Sequence, residues 1–175
     1  MSQMKDIISE ARFDIIEEAD REFIIAFDKE MRGLGYDFGG DIGKGYCWGK
    51  YMIIYSKSGV KSKKVAARIF IRDDCIVLRL YFSGIDKHRA YIENTPLHIK
   101  EVFTGEHGDC GHCEGGHREG GFCKFRKTYT VANRSFEKCN GVVFEFWWPD
   151  LAKLPDYMDL LNEFYAGKGG GKNAT

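Results

Sequence analysis

The chain has no net charge, no long apolar run and no internal repeat. The charges of its 26 basic and 26 acidic residues cancel, which argues against nucleic-acid binding through the electrostatic field of the whole protein. Only a local basic patch could bind nucleic acid. No apolar run approaches the length of a membrane span, and the opening residues, MSQMKDIISE, are too charged for a signal peptide. The patterns G-x-S-x-G and H-E-x-x-H are also missing, which excludes these two kinds of hydrolase site.

The composition supports one soluble globular domain. The chain has 175 residues, of which 43% are hydrophobic and 30% are charged, and this is ordinary for a protein with a real core. We therefore expect a single domain over residues 1–166 and a flexible tail over residues 167–175. The expected location is the cytoplasm, where the six cysteines are more often thiols or metal ligands than disulfides.

Two amphipathic helices are predicted near the two ends of the chain. In residues 17–32 charged side chains fill one side, and the other side carries an apolar stripe of Ala19, Phe23, Ile24, Phe27 and Met31. Asp14 and Glu17 have the spacing of a capping box, and Gly33 is a natural stop. Residues 155–166 repeat the pattern with Tyr157, Leu160, Leu161 and Phe164.

A β-hairpin is predicted in the middle of the chain. Strand patterning is found in residues 47–55, 64–72 and 75–82. Only two aspartates separate the last two segments, so a two-residue turn would place Phe70 opposite Val77 and Arg68 opposite Arg79. One face of this hairpin is wholly apolar and is the predicted core face, covered by the helix at 17–32; it consists of Val65, Ala67, Ile69, Ile71, Ile76, Leu78, Leu80 and Phe82.

The opposite face of the hairpin carries Arg68, Arg72 and Arg79. Two arginines directly opposite each other repel unless water or an acid separates them. In one interpretation the face is solvated, and its arginines splay apart or pair with an acid such as Glu145. In the other interpretation the arginines form an anion site.

Seven glycines between Gly33 and Gly49 raise the question of a phosphate-binding loop. A P-loop needs a glycine five positions before its Gly-Lys pair, and Ser or Thr after it. Around Gly43-Lys44 these positions hold Phe38 and Gly45, so a P-loop is excluded. An ordinary connection and a ligand-covering loop remain as interpretations.

Three of the six cysteines lie in HGDCGHCEGGHREGGFCKFRK, residues 107–127, which cannot build a hydrophobic core. Cys110 and Cys113 have the C-x2-C spacing that lets two thiolates of one tight turn reach a tetrahedral zinc ion at about 2.3 Å. Cys123 begins a predicted strand, and Cys139 precedes a second one; the strands are predicted at 125–131 and 141–148. If these strands pair through the turn TVANRSF, their cysteine-bearing ends meet at the C-x2-C turn.

The spacing therefore predicts a four-cysteine zinc site of zinc-ribbon character in an insertion over residues 105–141. Structural zinc contributes on the order of 10 kcal/mol to the folding of small domains, which would hold a segment that has too few apolar side chains for a core. The fourth ligand is open: His107, His112 or His117 could replace Cys139, and Cys139 could be merely a buried thiol. Cys47 and Cys75 lie in predicted strands, where we expect small core residues.

The segment CGHC also matches the redox motif of protein disulfide isomerases. In a thioredoxin-like fold this motif follows a strand and opens a helix whose N-terminus stabilises the thiolate. Here EGGHREGG follows, and four glycines in eight residues would break that helix. A thiol-disulfide oxidoreductase acting through Cys110 and Cys113 is therefore kept only as an alternative.

The segments DREFIIAFDKEMRGLGYDFGGDIGKGYCWGKYMIIY, CKFRKTYTV and EKCNGVVFEFW resemble a group of small uncharacterised proteins from Gram-positive bacteria. The resemblance covers nearly all of residues 12 to 166. It implies an all-cysteine metal site, because the positions that recur in the group match Cys110, Cys113, Cys123 and Cys139. It implies no catalytic role. The order of elements is also similar to the frataxin-like helix–sheet–helix layout, which is a likeness of topology alone.

The predicted fold is α+β, a mainly antiparallel sheet of about five strands flanked by an N-terminal and a C-terminal helix, with the zinc-held loop between the third and fourth strands. Without a catalytic set, the predicted function is a zinc-stabilised, non-catalytic module that binds a small molecule or a protein. Its ligand surface is predicted at Tyr46, Trp48, Arg68, Arg79, Trp147 and Trp148. A nucleic-acid-binding module is a further alternative, because SKSGVKSKK at 56–64 places four lysines at a hairpin tip.

Overall fold

The computed structural model describes residues 2–60, 64–105, 126–138 and 143–165. The chain forms two compact units, Met1–Tyr81 with Glu145–Thr175 and, inserted between these segments, Phe82–Phe144. The predicted zinc ligands and the histidines considered as replacements lie outside the described residues; these are Cys110, Cys113, Cys123, Cys139, His107, His112 and His117. None of the helices in the described ranges is long and apolar enough to cross a membrane.

The first unit is built on a sheet with helices before and after it in the chain, which confirms the predicted α+β class. The strands lie in the order β1-β3-β4-β5-β8, and β2 also pairs with β3. The pairs of β3 with β1, β2 and β4, and of β4 with β5, are antiparallel. The bounds are β1 Tyr36–Asp37, β2 Gly43–Lys44, β3 Tyr51–Lys57, β4 Val65–Ile71, β5 Ile76–Tyr81 and β8 Val143–Trp147.

The predicted register of the β4–β5 hairpin is confirmed, with Phe70 opposite Val77 and Arg68 opposite Arg79. The core face follows from that register because side chains alternate between the two faces of a strand. Of the predicted core residues Val65 is half-buried, and the buried ones are Ala67, Ile69, Ile71, Ile76, Leu78, Leu80 and, in the second unit, Phe82.

Two helices contact the core face of the sheet, as predicted. In α2 (Glu18–Gly33), the ring of Phe27 lies 5.3 Å from that of Tyr55 on β3. In α5 (Leu154–Tyr165), the ring of Tyr157 lies 5.1 Å from Phe146 on β8 and 6.2 Å from Phe23 on α2. Burying each large apolar side chain stabilises the fold by roughly 1.5–3 kcal/mol.

The start of α2 differs from the prediction. Its N-cap is Glu17, which makes no side-chain cap hydrogen bond, so the predicted capping box is wrong. Arg21 instead holds the incoming chain, because its guanidinium donates to the carbonyls of Ile8 at 2.6 Å and Phe13 at 2.7 Å. The preceding helix α1 spans Gln3–Ile8.

Asp28 is buried, although the helical pattern placed it on the polar side of α2. The Nε of Arg32, one turn later, donates to its carboxylate at 2.9 Å. The buried hydroxyl of Tyr55 has its pKa raised, first by desolvation and then by the negative charge of Asp28. A charge inside a core is retained only when it is paired, and here Arg32 supplies the partner.

The second unit contains helices α3 (Arg89–Glu93) and α4 (Leu97–Thr104), with a hairpin of β6 (Lys127–Val131) and β7 (Arg134–Lys138). Two residues in left-handed conformation, Ala132 at φ 50° and Asn133 at φ 59°, form its tight turn. The sequence predicts this segment to be the turn between paired strands at 125–131 and 141–148, and that pairing is wrong. The first of these strands pairs with β7, and the second is β8, which lies next to β5.

The hairpin of the second unit satisfies the carbonyl groups at the end of α4. The last carbonyls of a helix have no partner within the helix. The Nζ of Lys138 donates to the carbonyl of Val102 at 2.8 Å, and the hydroxyl of Tyr129 donates to that of Phe103. The carboxylates of Asp86 and Glu93 accept backbone N–H groups of the hairpin, from Thr130 at 2.8 Å and Ala132 at 2.7 Å.

Candidate functional site

The candidate site is the outer face of the sheet in the first unit, opposite the core face. The register places Met52, Phe70 and Val77 in one row across three strands. These three side chains form an apolar cluster together with Cys75. The neighbouring row carries Arg68 and Arg79. The outer face therefore has a hydrophobic centre with cationic side chains beside it.

Arg79 is buried beneath this surface, with an exposed fraction of 6%. Its Nε donates to the Glu145 carboxylate at 2.9 Å, and a second guanidinium nitrogen donates to the same oxygen. Its Cζ lies 4.3 Å from the centre of the Trp48 ring and 4.7 Å from that of Phe70. The pair with Glu145 and the two ring contacts offset the cost of removing this charge from water. The interpretation in which an outer-face arginine pairs with Glu145 is confirmed for Arg79, but this arginine is buried rather than solvated.

A glycine-bounded turn places Trp48 over Arg79. Residues Tyr46–Trp48 form one turn of 3₁₀ helix, and the N–H of Gly45 donates to the carbonyl of Lys50 at 3.0 Å. A Cβ at Gly45 would lie 2.3 Å from the carbonyl oxygen of Gly49, and one at Gly49 would lie 2.7 Å from that of Ile71. Both positions exclude any larger residue, so these glycines allow close packing.

The same turn projects Tyr46, which is 80% exposed and has a left-handed backbone at φ 54°. Such a conformation is costly for a bulky residue and persists only where its surroundings impose it. Cys47 is also exposed in this turn, so its predicted place in a strand and in the core is wrong, whereas Cys75 is buried as predicted.

Arg72 connects Trp48 to Trp147 at the end of β8. Its Nη1 donates to the carbonyl of Trp48 at 3.2 Å, and its Cζ lies 5.2 Å from the centre of the Trp147 ring. The Trp147 ring lies 5.7 Å from that of Trp148, which has a left-handed backbone at φ 50°. The exposed fractions are 49% for Trp48, 44% for Trp147 and 64% for Trp148. Every tryptophan of the chain is therefore solvent-accessible on this part of the first unit.

Arg68 stacks on a different ring. Its Cζ lies 5.5 Å from the centre of Tyr81, and its buried Nε has no hydrogen-bond partner in the described part of the chain. The predicted ligand surface is thus assembled mainly around Trp48, Arg79 and Trp147, with Tyr46 and Trp148 at its rim. The sequence does not reveal the linking role of Arg72, because this role depends on a turn that is distant in sequence. We name the set Tyr46, Trp48, Arg68, Arg72, Arg79, Trp147 and Trp148 the tryptophan–arginine surface.

This surface is composed of tryptophan, tyrosine and arginine side chains. Tryptophan, tyrosine and arginine are the side chains that contribute most to binding interfaces, since they present large rigid areas and directional donors. The carboxylate of Glu145, which contacts this surface, is paired with Arg79. Burial, and secondarily Asp74, raises the pKa of the Cys75 thiol, which makes this thiol a poorer nucleophile.

The second unit holds a cavity of about 320 Å³ between the end of α4 and the hairpin. Its lining includes Thr104, Gly105, Phe136 and Lys138. Burial lowers the pKa of Lys138 to about 7, because desolvation penalises its charged form. Among the residues that the structure describes, no group of three or more His, Cys, Asp or Glu side chains could hold a metal ion.

Two alternatives fall wholly or partly outside the described residues. The whole CGHC motif lies outside these residues, and so do residues 61–63 of the lysine-rich segment. Both stay predictions. Comparison with protein-family models, with curated proteins and with solved structures gives no match. The functional proposal therefore depends on the geometry of the chain itself.

Proposed function

We propose that the protein is a zinc-stabilised, non-catalytic binding module that holds its ligand, a small molecule or a protein, on the tryptophan–arginine surface. One observation carries the proposal: every tryptophan of the chain is exposed in one region, and fixed contacts hold two of them. Trp48 lies against Arg79, and Trp147 lies against Arg72. Large aromatic side chains stay in water at a cost, so a cluster of them marks a site of interaction.

The zinc part of the proposal is supported by the positions of described residues that flank the four cysteines in sequence. Gly105, the last residue before the segment with Cys110, Cys113 and Cys123, lines the same cavity as Lys138, the residue before Cys139. Lys127, four residues after Cys123, is the cross-strand partner of Lys138. The chain positions that lead to all four thiols are therefore close together in the second unit. Four thiolates suit zinc, whose structural sites are tetrahedral and often all-cysteine.

The zinc proposal is tested by metal analysis of protein purified without a histidine tag. We expect one zinc ion per chain in the wild type and in Cys47→Ser, because Cys47 is exposed in the first unit. We expect loss or marked weakening of zinc binding in Cys110→Ser and Cys139→Ser. Zinc-free wild-type protein, or full zinc retention in both of these variants, would refute this part.

The binding proposal is tested through the three tryptophans, whose indole N–H signals report directly on the surface. A library of small molecules and short peptides is added to ¹⁵N-labelled protein, and ligands are sought that shift these signals. We expect such ligands to lose affinity in Trp48→Ser and to keep it in Leu97→Ser, which removes an exposed apolar side chain in the other unit. Hits that bind equally to both variants, or a library that leaves the indoles unshifted, would refute the binding role.

A further inference from the structure

The arginines of the tryptophan–arginine surface differ in whether a described carboxylate pairs with them. Arg79 is paired with Glu145, and Lys50 is paired with Asp73 at 2.6 Å. Arg68 and Arg72 contact aromatic rings and make no ion pair with a described residue. The surface therefore keeps two cationic groups that an incoming ligand can pair with.

The two arginines are separated by a distance that fits an extended peptide. Arg68 lies on the outer face of β4, and Arg72 directly follows the last residue of that strand. The two are four residues apart, with Phe70 midway between them. Four residues of strand span about 13 Å, and side chains two apart point to the same side of an extended chain. A peptide in extended conformation repeats this spacing, so carboxylates at its positions i and i+4 can face Arg72 and Arg68.

The aromatic centre lies between the two cations. The ring of Trp48 is 6.2 Å from that of Phe70, the residue midway between Arg68 and Arg72. A peptide side chain at position i+2 would therefore face the exposed ring of Trp48. An apolar or aromatic residue there would bury area against it, and the flanking carboxylates would form charge-assisted hydrogen bonds with guanidinium groups.

We propose that this surface, in the binding role proposed above, recognises an extended acidic segment of another protein, with carboxylates four residues apart around an apolar side chain. A single-stranded nucleic acid fits the same charges less well. Its phosphates recur at every nucleotide and need a continuous basic groove. Here Asp73 and Asp74 directly follow Arg72, Glu145 lies beside Arg79, and the chain has no net charge.

The probe for this proposal is a seven-residue peptide with glutamate at its second and sixth positions and phenylalanine at its fourth, labelled with an uncharged dye. Two control peptides are matched to it. The first has glutamine in place of both glutamates. The second has its glutamates at the second and fifth positions, which puts them on opposite sides of an extended chain. Affinity is measured by fluorescence anisotropy at low and at physiological salt.

We expect the probe to bind about tenfold more tightly than either control peptide, since each guanidinium–carboxylate pair adds a directional, charge-assisted contact. Arg68→Gln and Arg72→Gln should each weaken probe binding, and Arg89→Gln, an exposed arginine of the second unit, should leave it unchanged. Equal binding of all three peptides, or no effect of either arginine substitution, would overturn the proposal.

The outcomes separate this inference from the binding role on which it rests. If the acidic probe fails while another ligand shifts the indole signals, the binding role stands and the acidic partner is wrong. If a ten-nucleotide oligothymidylate binds more tightly than the probe and with steep salt dependence, the partner is a nucleic acid and the inference is overturned. If nothing shifts the indoles, both proposals fail.

Discussion

The guanidinium carbon of Arg79 lies 4.3 Å from the centre of the Trp48 ring, so a buried cation of β5 supports an exposed indole from a distant turn. Glu145 on β8 pairs with the same guanidinium. Three segments that are far apart in sequence thus determine the position of the indole ring. A ring held in this way loses little freedom when a ligand covers it, which favours binding.

The ion pair under Trp48 should contribute measurably to stability. We expect Glu145→Gln to lower the free energy of unfolding by about 2 kcal/mol, because it leaves the charge of Arg79, whose side chain is 7% exposed, without its partner. The matched control is Glu137→Gln, which breaks the more exposed pair with Arg126 and should cost less than about 1 kcal/mol. Urea unfolding followed by circular dichroism gives both values, and equal losses would contradict the assigned role of the buried pair.

The turn that carries Tyr46 and Trp48 should depend on its glycines for a steric reason. Gly45→Ala places a Cβ 2.3 Å from a backbone oxygen, so the turn must open. We expect a loss of roughly 1–3 kcal/mol in unfolding free energy and a shift of the Trp48 indole signal. Gly43→Ala is the control, since a Cβ there meets nothing within 4 Å. A Gly45→Ala protein with unchanged stability and an unchanged Trp48 signal would show that the turn is not packed as described.

Four tyrosines should make the fold sensitive to alkali. Burial raises the pKa of Tyr55, Tyr129, Tyr157 and Tyr165 above the ordinary value of 10.0. Above pH 10 the unfolded chain therefore loses phenol protons that the folded chain keeps, and stability falls as pH rises further. Lys138 has the opposite effect on stability between pH 7 and 10.5. In this range the unfolded chain binds a proton that the folded chain lacks, so stability rises with pH.

The measurement is tyrosinate absorbance and circular dichroism recorded together against pH. We expect the absorbance of these four phenols to rise only as the circular dichroism signal is lost, after a modest gain in stability up to about pH 10. Full tyrosine titration with no loss of structure would contradict the burial of these side chains.

Local rules predicted the parts of the fold that depend on local sequence. Two aspartates between alternating strands were enough to place Arg68 opposite Arg79, and the helical stripe of α2 was confirmed at Phe23, Phe27 and Met31. The exposed surface was harder to predict. Whether Trp48 or Trp147 is core or surface depends on which side chains arrive from other strands, and hydrophobicity alone would bury both.

The incorrect predictions also have their cause in contacts between residues that are distant in sequence. β7 was missed because Arg134–Lys138 has no clear alternation of apolar residues, and because Ala132-Asn133 is not one of the usual hairpin-turn pairs. Asp28 was assigned to the polar side of α2 because its partner Arg32 and its neighbour Tyr55 are visible only in the folded chain. In both cases tertiary contacts outweigh the local pattern.

The six cysteines should fall into three classes of reactivity, and this gives a test of the zinc proposal that needs no variant. Cys47 is exposed and should react at once with a thiol reagent, whereas Cys75 is buried with a raised pKa and should react only on slow opening of the fold. If zinc holds the remaining four, they should react together with the appearance of free zinc, which a chelating dye detects in parallel. If five thiols react rapidly and no metal is released, the zinc proposal for the second unit is wrong. Rapid reaction of Cys75 would contradict its burial in the core of the first unit.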